Sequence, residues 1–138
     1  VDVRVAMNAK RLGKLDGLRK ESIPPMLYGP KDYGTLLVCF GSTREIAREA
    51  IDLLGRSDTA VLSFEQVYPL HEAAGAFLAA AKRVVVLEGN ATGQFRRLLR
   101  ATFGVEARHS ILKSDGFQFS VEETVRRLSA ILEGGDGA

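Results

Sequence analysis

Apolar runs alternate with helical patterns from residue 35 onward. Residues 35–40 ("TLLVCF") form a continuous apolar run, which is typical of a strand buried on both faces. Similar runs at 59–65 and 83–88, and a weaker one at 105–113, predict three further strands. Because short strands alternate with helical segments, we predict an α/β fold. Its form is a three-layer α/β/α sandwich with a mostly parallel sheet of four or five strands, whose order the pattern leaves open.

Four helices are predicted between and after these strands. The spacing of Ser42 and Glu45 predicts a capping box at the start of the first helix, which Gly55 ends. Ser120 and Glu123 repeat this spacing before the last helix. Residues spaced by three or four positions define the inner helix faces. They are Ile46, Ala50, Ile51, Leu54, Leu70, Ala74, Phe77, Leu78, Ala81, Phe95, Leu98, Leu99, Thr102, Phe103, Val121, Val125, Leu128 and Leu132.

Residues 1–34 do not follow this alternation. Residues 1–6 ("VDVRVA") alternate as an exposed or edge strand does. Leucines spaced by three indicate a short helix next, which Gly13 and Gly17 weaken. The prolines in 22–30 exclude a helix there. We interpret this segment as an arm that leads into the domain, wrapping across it or contacting a neighbour.

Positive charge is concentrated in the arm. The chain carries a net charge of +2, yet residues 1–20 hold six bases against two acids. No aromatic residue lies between these charges to stack a base, so we favour a solvated connector over a nucleic-acid interface. The predicted organisation is a basic connector arm at 1–34, an α/β domain at 35–133 and a disordered tail at 134–138.

The composition limits the classes of protein to which the chain can belong. The hydrophobic share of 46% and the charged share of 26% are those of a globular domain. No apolar run approaches the roughly 18 residues that a membrane span needs, and no signal-peptide pattern opens the chain. One cysteine, Cys39, excludes an intrachain disulfide, and no zinc-ligand spacing is present. We expect a cytoplasmic protein that holds no metal and contacts neither nucleic acid nor a membrane.

Two glycine-containing loops follow the first and third strands. Ligands of open α/β sheets bind at the carboxyl ends of parallel strands, and helix N-termini there attract anions. Each loop is therefore a candidate for holding a carboxylate or phosphate, although neither contains a P-loop or a GxGxxG motif. We favour a structural alternative, in which the glycines permit sharp turns while Ser42 and Thr92 cap the helices. The candidate residues are Gly41, Ser42, Thr43, Gly89, Asn90, Thr92 and Gly93.

The remaining reactive side chains form no catalytic set. Cys39 lies mid-strand, where a buried, inert thiol is expected. His71 and His109 have no nucleophile at a suitable spacing, so structural or surface roles are favoured. Glu65 and Glu88 end their strands and are the acids best placed for a general acid or a partner contact.

Three arginines lie on the outer face of the predicted helix that follows the third strand. Arg96, Arg97 and Arg100 are positioned to meet a phosphate or an acidic partner. A solvated helix surface is the interpretation that we favour for them.

Four segments together give the chain a family resemblance. They are "KRLGKLDGL" (10–18), "LYGPKDYGTLLVCFGST" (27–43), "VVVLEGNATGQFRRLLR" (84–100) and "ILKSDGFQFSVEETV" (111–125). In this order and at these spacings they resemble the end of the alpha subunit of 2-oxoacid:ferredoxin oxidoreductases, particularly the 2-oxoglutarate type. The resemblance covers about residues 10–132. Gly89 stands where that family commonly has asparagine, and Ala91 where it commonly has an aromatic residue.

This resemblance implies a fold and an enzyme. The fold is that of the transketolase C-terminal domain, with a mixed sheet containing one antiparallel strand. The enzyme oxidatively decarboxylates a 2-oxoacid to its acyl-CoA, using coenzyme A and thiamine diphosphate, and passes electrons through iron–sulfur clusters to ferredoxin. One cysteine cannot supply the four thiolates of a [4Fe–4S] cluster.

The role implied for this chain is subunit assembly. The rim loops and the arm are expected to contact other domains and the beta subunit. The chain alone is expected to be inactive and to bind no cofactor. Two alternatives stay open: a domain that binds coenzyme A or a nucleotide at the rim, and the C-terminal domain of another thiamine diphosphate enzyme. The identity of the 2-oxoacid is not encoded in these residues.

Overall fold

Residues 1–134 are described by a computed structural model, and they form five helices and five strands. In chain order these elements are α1 (Asp2–Lys20), β1 (Met26–Tyr28), β2 (Thr35–Phe40), α2 (Thr43–Leu54), β3 (Thr59–Phe64), α3 (Ala74–Ala80), β4 (Arg83–Glu88), α4 (Gln94–Phe103), β5 (His109–Leu112) and α5 (Val121–Glu133).

The strands form one sheet in the order β1-β3-β2-β4-β5. Strands β2 to β5 are parallel to one another. β1 lies at the edge and pairs antiparallel with β3, with Met26 opposite Ser63 and Tyr28 opposite Val61. The predicted mixed sheet with one antiparallel strand is therefore confirmed, and that strand is β1.

Helices cover both faces of the sheet. On one face Leu37 and Cys39 of β2 belong to a core cluster with Ile51 of α2 and Leu128 of α5. On the other face the alternate residues of β2 join a second cluster with α3 and α4. Because β2 is central and covered on both sides, its sequence is apolar without alternation. The predicted three-layer α/β/α sandwich is confirmed.

The N-terminal segment differs from its prediction. Residues 1–6 were expected to form a strand, but Asp2–Lys20 is one continuous helix that contributes no buried residue to the described structure. Most of its residues are good helix formers. Gly13 and Gly17 are exposed, and a Cβ built at either would meet no atom within 4 Å in the described structure. The strand prediction was wrong, since no strand among residues 1–134 pairs with this segment. β1 also lies inside the predicted connector, so the sheet extends into it.

Several element ends also differ from the pattern. α3 begins at Ala74 rather than near Leu70, because the Nδ1 atom of His71 accepts the Ala73 N–H at 3.1 Å and the preceding residues form a loop. Leu70 is nevertheless buried in the core. Thr102, predicted to face inward, is exposed. Most of the predicted disordered tail, residues 135–138, lies outside the described residues.

Candidate functional site

The two candidate loops leave neighbouring strands at the same edge of the sheet. β2 and β4 are adjacent and parallel, so Gly41 and Gly89 both follow the carboxyl ends of paired strands. The chain also reverses its direction of winding between these strands, since β3 lies on one side of β2 and β4 on the other. This is the topological switch point at which α/β proteins commonly bind ligands. The structure therefore brings the two predicted loops together.

Glu88, the last residue of β4, is fully buried beneath the second loop. Its Oε2 atom accepts the Phe95 N–H at 2.8 Å and the side-chain amide of Asn90 at 2.6 Å. Its Oε1 atom accepts the Arg96 N–H at 3.2 Å. The carboxylate thus lies at the N-terminus of α4, where the helix dipole favours negative charge. The prediction of Glu88 as a general acid or partner contact is wrong, since its carboxyl group faces only the protein.

Asn90 completes the network from the loop itself. Its Oδ1 atom accepts the N–H groups of Thr92 at 3.1 Å, Gly93 at 2.8 Å and Gln94 at 3.3 Å. The predicted cap, Thr92, has an exposed side chain whose hydroxyl makes no hydrogen bond within the described residues. Asparagine therefore provides the cap that we assigned to threonine.

Gly93 is required by the geometry of this corner. Its φ of +65° lies in the left-handed region, and a Cβ there would come within 3.5 Å of the Glu88 Oε1 atom. A side chain would therefore be strained by the backbone and would contact the buried carboxylate.

The loop consequently provides its own anion. The backbone N–H groups of residues 92–96 are satisfied by Glu88 and Asn90. A phosphate-binding loop presents such groups, unpaired, to its ligand. A phosphate at this helix end would have to displace a buried negative charge from its hydrogen bonds. The geometry thus matches the structural alternative for residues 89–94.

The first loop, residues 41–43, is held differently. The Gly41 N–H donates to the Phe64 carbonyl at 3.0 Å, and the Thr43 hydroxyl donates to the Phe40 carbonyl at 2.8 Å. Ser42 is exposed and accepts no capping hydrogen bond in the described structure, so the capping box predicted from Ser42 and Glu45 is wrong.

The cap predicted at Ser120 is confirmed, and the backbone conformations of the two serines explain why Ser42 does not cap α2. The Ser120 Oγ atom accepts the Glu123 N–H at 3.0 Å. Ser120 has an extended backbone with ψ of 160°, whereas Ser42 is already helical with ψ of −15°. Serine caps typically have an extended backbone, from which the hydroxyl reaches the N–H groups of the first turn.

The other charges of this rim pair with one another. Arg44 contacts Glu65 at 3.0 Å and Glu45 at 2.8 Å. At the end of β5, Lys113 contacts Glu123 at 2.6 Å. The hydrogen bond from Lys113 lowers the pKa of Glu123 below its ordinary value, and the same contact raises the pKa of Lys113. These charges of the rim are therefore paired within the described residues.

Three candidate side chains remain, namely Cys39, His71 and His109. Cys39 is fully buried, and burial raises the pKa of its thiol to about 12, so the expected inert thiol is confirmed. His71 accepts a hydrogen bond in the loop before α3. His109 lies in β5, and its buried Nε2 atom has no hydrogen-bond partner in the described structure. Within residues 1–134, no three His, Cys, Asp or Glu side chains form a group that could hold a metal ion. No helix in that range is long and apolar enough to cross a membrane.

The outward position of the α4 arginines is confirmed. Arg97 and Arg100 are exposed and Arg96 is partly exposed. The sequence pattern did not reveal that Arg108, in the coil before β5, lines the same cavity. That contact joins two elements and cannot be seen from helical spacing alone.

Comparison with known proteins gives a curated relative. The chain is 33% identical over 118 residues to the alpha subunit of 2-oxoacid:ferredoxin oxidoreductase 2 from Aeropyrum pernix, an alignment that covers 80% of this chain. The chain is a relative of 2-oxoacid:ferredoxin oxidoreductase alpha subunits. The resemblance found in the sequence is thereby confirmed. The chain spans 18% of the length of this relative, and no protein-family profile matches it.

Solved structures of these oxidoreductases share the fold. A 2-oxoglutarate:ferredoxin oxidoreductase from Magnetococcus marinus, solved with 2-oxoglutarate, coenzyme A and succinyl-CoA bound, superposes with a TM-score of 0.81 at 24% identity. The match covers 91% of this chain and 23% of that one. The alpha chain of a probable 2-oxoacid ferredoxin oxidoreductase from Thermoplasma acidophilum gives a TM-score of 0.56 at 23% identity, with 80% and 97% covered.

Proposed function

We propose that this chain is the C-terminal assembly domain of a 2-oxoacid:ferredoxin oxidoreductase alpha subunit, with a 2-oxoglutarate enzyme as the first choice. The complete cytoplasmic complex would convert a 2-oxoacid and coenzyme A into acyl-CoA and carbon dioxide while reducing ferredoxin. The relationship to the Aeropyrum alpha subunit supports this assignment. The chain would contribute no reacting group.

The observation that carries the proposal is the self-satisfied loop at residues 89–94. Glu88 and Asn90 occupy the N–H groups that a diphosphate would need, and Glu88 would repel its charge. The residues present therefore do not fit thiamine diphosphate at this rim. A single buried cysteine does not fit an iron–sulfur cluster either. Both groups are assigned to other parts of the complex, as are the sites for coenzyme A and ferredoxin.

The arm supports an assembly role. α1 exposes apolar side chains on a helix that buries none of them in the described structure. Apolar surface left in water is typical of a contact made with another protein body. We assign this helix and the loops at 41–43 and 89–94 to contacts with neighbouring domains and the beta subunit. The exposed apolar residues are Val1, which precedes α1, and Val3, Val5, Met7, Leu12 and Leu18 within it.

Isothermal titration tests the proposal. Thiamine diphosphate and coenzyme A, each titrated into this chain, are expected to give no heat above that of dilution. The remaining domains and the beta subunit, prepared together, are expected to bind thiamine diphosphate and to capture this chain. Tight binding of either cofactor by the chain alone would contradict the assembly role and favour the ligand-binding alternative.

A further inference from the structure

Four arginines line one concave surface on the outer side of α4. They are Arg96, Arg97, Arg100 and Arg108, named here the arginine surface, and they surround a cavity of about 390 Å³. Val105, Ala107 and a single acid, Glu106, complete the lining. An adjoining cavity of about 320 Å³ shares Glu106 and Arg108, and Lys82 lies on its wall. Positive charge therefore extends from α4 to the start of β5.

The guanidinium groups of this surface have no partner within residues 1–134. No hydrogen bond or ion pair involves the side chain of Arg96, Arg97, Arg100 or Arg108 there. Other arginines of the chain do bind acids, as Arg56 binds Asp58 and Arg127 binds Glu123. The lack of acidic partners is therefore specific to the arginine surface and does not hold for every arginine of the chain.

The spacing of these residues makes the surface unfavourable by itself. Positions 96 and 100 are one helical turn apart, as are 97 and 100, so like charges are neighbours along α4. Like charges at such spacings destabilise a helix by a few tenths of a kcal/mol. Opposite charge supplied from outside would remove this repulsion.

The lining indicates the kind of partner. Small-molecule pockets are mostly apolar with a few polar groups, whereas this cavity is walled mainly by charged side chains. The lining contains no aromatic side chain on which a nucleic-acid base would stack. Arginine is enriched at protein interfaces, and its planar fork binds carboxylates through two parallel hydrogen bonds.

We propose that the arginine surface docks an acidic protein surface, belonging to another domain or subunit of the same enzyme, through arginine–carboxylate pairs. The inference rests on the proposed assembly function. Since the chain spans only 18% of its curated relative, most of such an enzyme lies outside it. The arginine surface is then one of the faces that this remainder covers.

Binding measured at two salt concentrations tests the docking surface. The remaining alpha-subunit domains and the beta subunit are immobilised together, and the dissociation constant of this chain is measured near 50 mM and near 500 mM salt. Wild type is expected to bind about tenfold more weakly at high salt. The double variant R97Q/R100Q is expected to bind about tenfold more weakly at low salt and to lose most of the salt dependence.

The matched control is R126Q, compared with the single variant R100Q, which removes one charge of the arginine surface. Arg126 is also exposed and has no partner in the described residues, so R126Q removes the same charge from another face. Its affinity is expected to stay within about twofold of wild type. Circular dichroism melts confirm that all three variants fold.

Three results would overturn the inference. If wild type binds and R97Q/R100Q binds equally well, the arginine surface is not the interface, although the assembly function stands. If wild type does not bind the remaining domains at all, the assembly function fails as well. If inorganic diphosphate binds to the chain alone and R97Q/R100Q abolishes that binding, the cavity is a phosphate site.

Discussion

Charged groups are arranged in opposite ways in two neighbouring regions. These are the loop at residues 89–94 and the arginine surface. In the loop, a buried carboxylate is surrounded by hydrogen-bond donors of its own chain. On the arginine surface, four guanidinium groups form no ion pair within the described residues, although one acid, Glu106, lines the same cavity. Polar groups that the fold satisfies stabilise it, and those left unsatisfied are available to a partner. The sequence pattern suggests the glycine-containing loop as a binding site, but the arginine surface is the better candidate for binding a partner protein.

The largest loss of folding stability is expected from Glu88→Ala. This substitution leaves the Phe95 and Arg96 N–H groups without their acceptor at a buried helix end. We expect the free energy of unfolding to fall by about 2–4 kcal/mol, measured by urea denaturation. The matched control is Glu65→Ala, which removes an exposed acid with one ion pair and should cost less than about 1 kcal/mol. Equal losses of stability in the two variants would show that buried Glu88 stabilises the fold no more than an exposed acid does.

A smaller loss of folding stability is expected from Asn90→Ala. Three N–H groups lose the Oδ1 atom that accepts them, but water can reach two of their exposed residues, Thr92 and Gln94. We expect a loss of about 1–2 kcal/mol in the same assay. Thr92→Ala is the control, and it should be close to neutral. A greater loss from Thr92→Ala would restore threonine as the cap.

Glu123→Gln tests a paired charge of the rim through its pH dependence. Lys113 lowers the pKa of Glu123 in the folded state, so the stabilisation is fully present above the ordinary value of 4.5. It is lost as the pH falls through the lowered pKa. We expect the variant to be less stable by about 0.5–1 kcal/mol at neutral pH. Unfolding curves collected down the acid range should converge with those of wild type, and a constant difference would contradict the ion pair.

The smallest effect on stability is expected from R97Q/R100Q. Neither guanidinium has a partner among the described residues, and the change relieves repulsion along α4. The free energy of unfolding should stay within about 0.5 kcal/mol of wild type or rise slightly. A loss above about 1 kcal/mol would show that these arginines stabilise the fold. The arginine surface would then stabilise the fold, as the hydrogen bonds of the loop at residues 89–94 do.

The sheet was predictable because each central strand is buried on both faces. Continuous apolar runs such as that of β2 follow directly from the helices that cover the sheet. α1 was not predictable in the same way. It buries no residue in the described structure, so its sequence carries only a weak apolar pattern of helical period, limited to the leucines near its end.

The position of the candidate site and the structural role of its glycine turns were predictable, but the residues that cap its helices were not. Strand order brings the two loops together, and their place after strands was visible from the sequence. The equal spacing of serine and glutamate at the starts of α2 and α5 hides a difference in backbone conformation that only the structure reveals. One signal was available for the loop: Glu88 ends an otherwise apolar strand two residues before an asparagine. An acid in that position is well placed to accept hydrogen bonds from the next helix.

The burial of Cys39 at the centre of β2 has a practical consequence. Its sulfur atom is inaccessible to a thiol reagent while the sheet is closed, and its high pKa leaves almost no thiolate at neutral pH. Labelling must therefore wait for the central strand to become exposed. The rate at which a reagent such as an iodoacetamide dye modifies this residue would report opening of the core without any engineered probe.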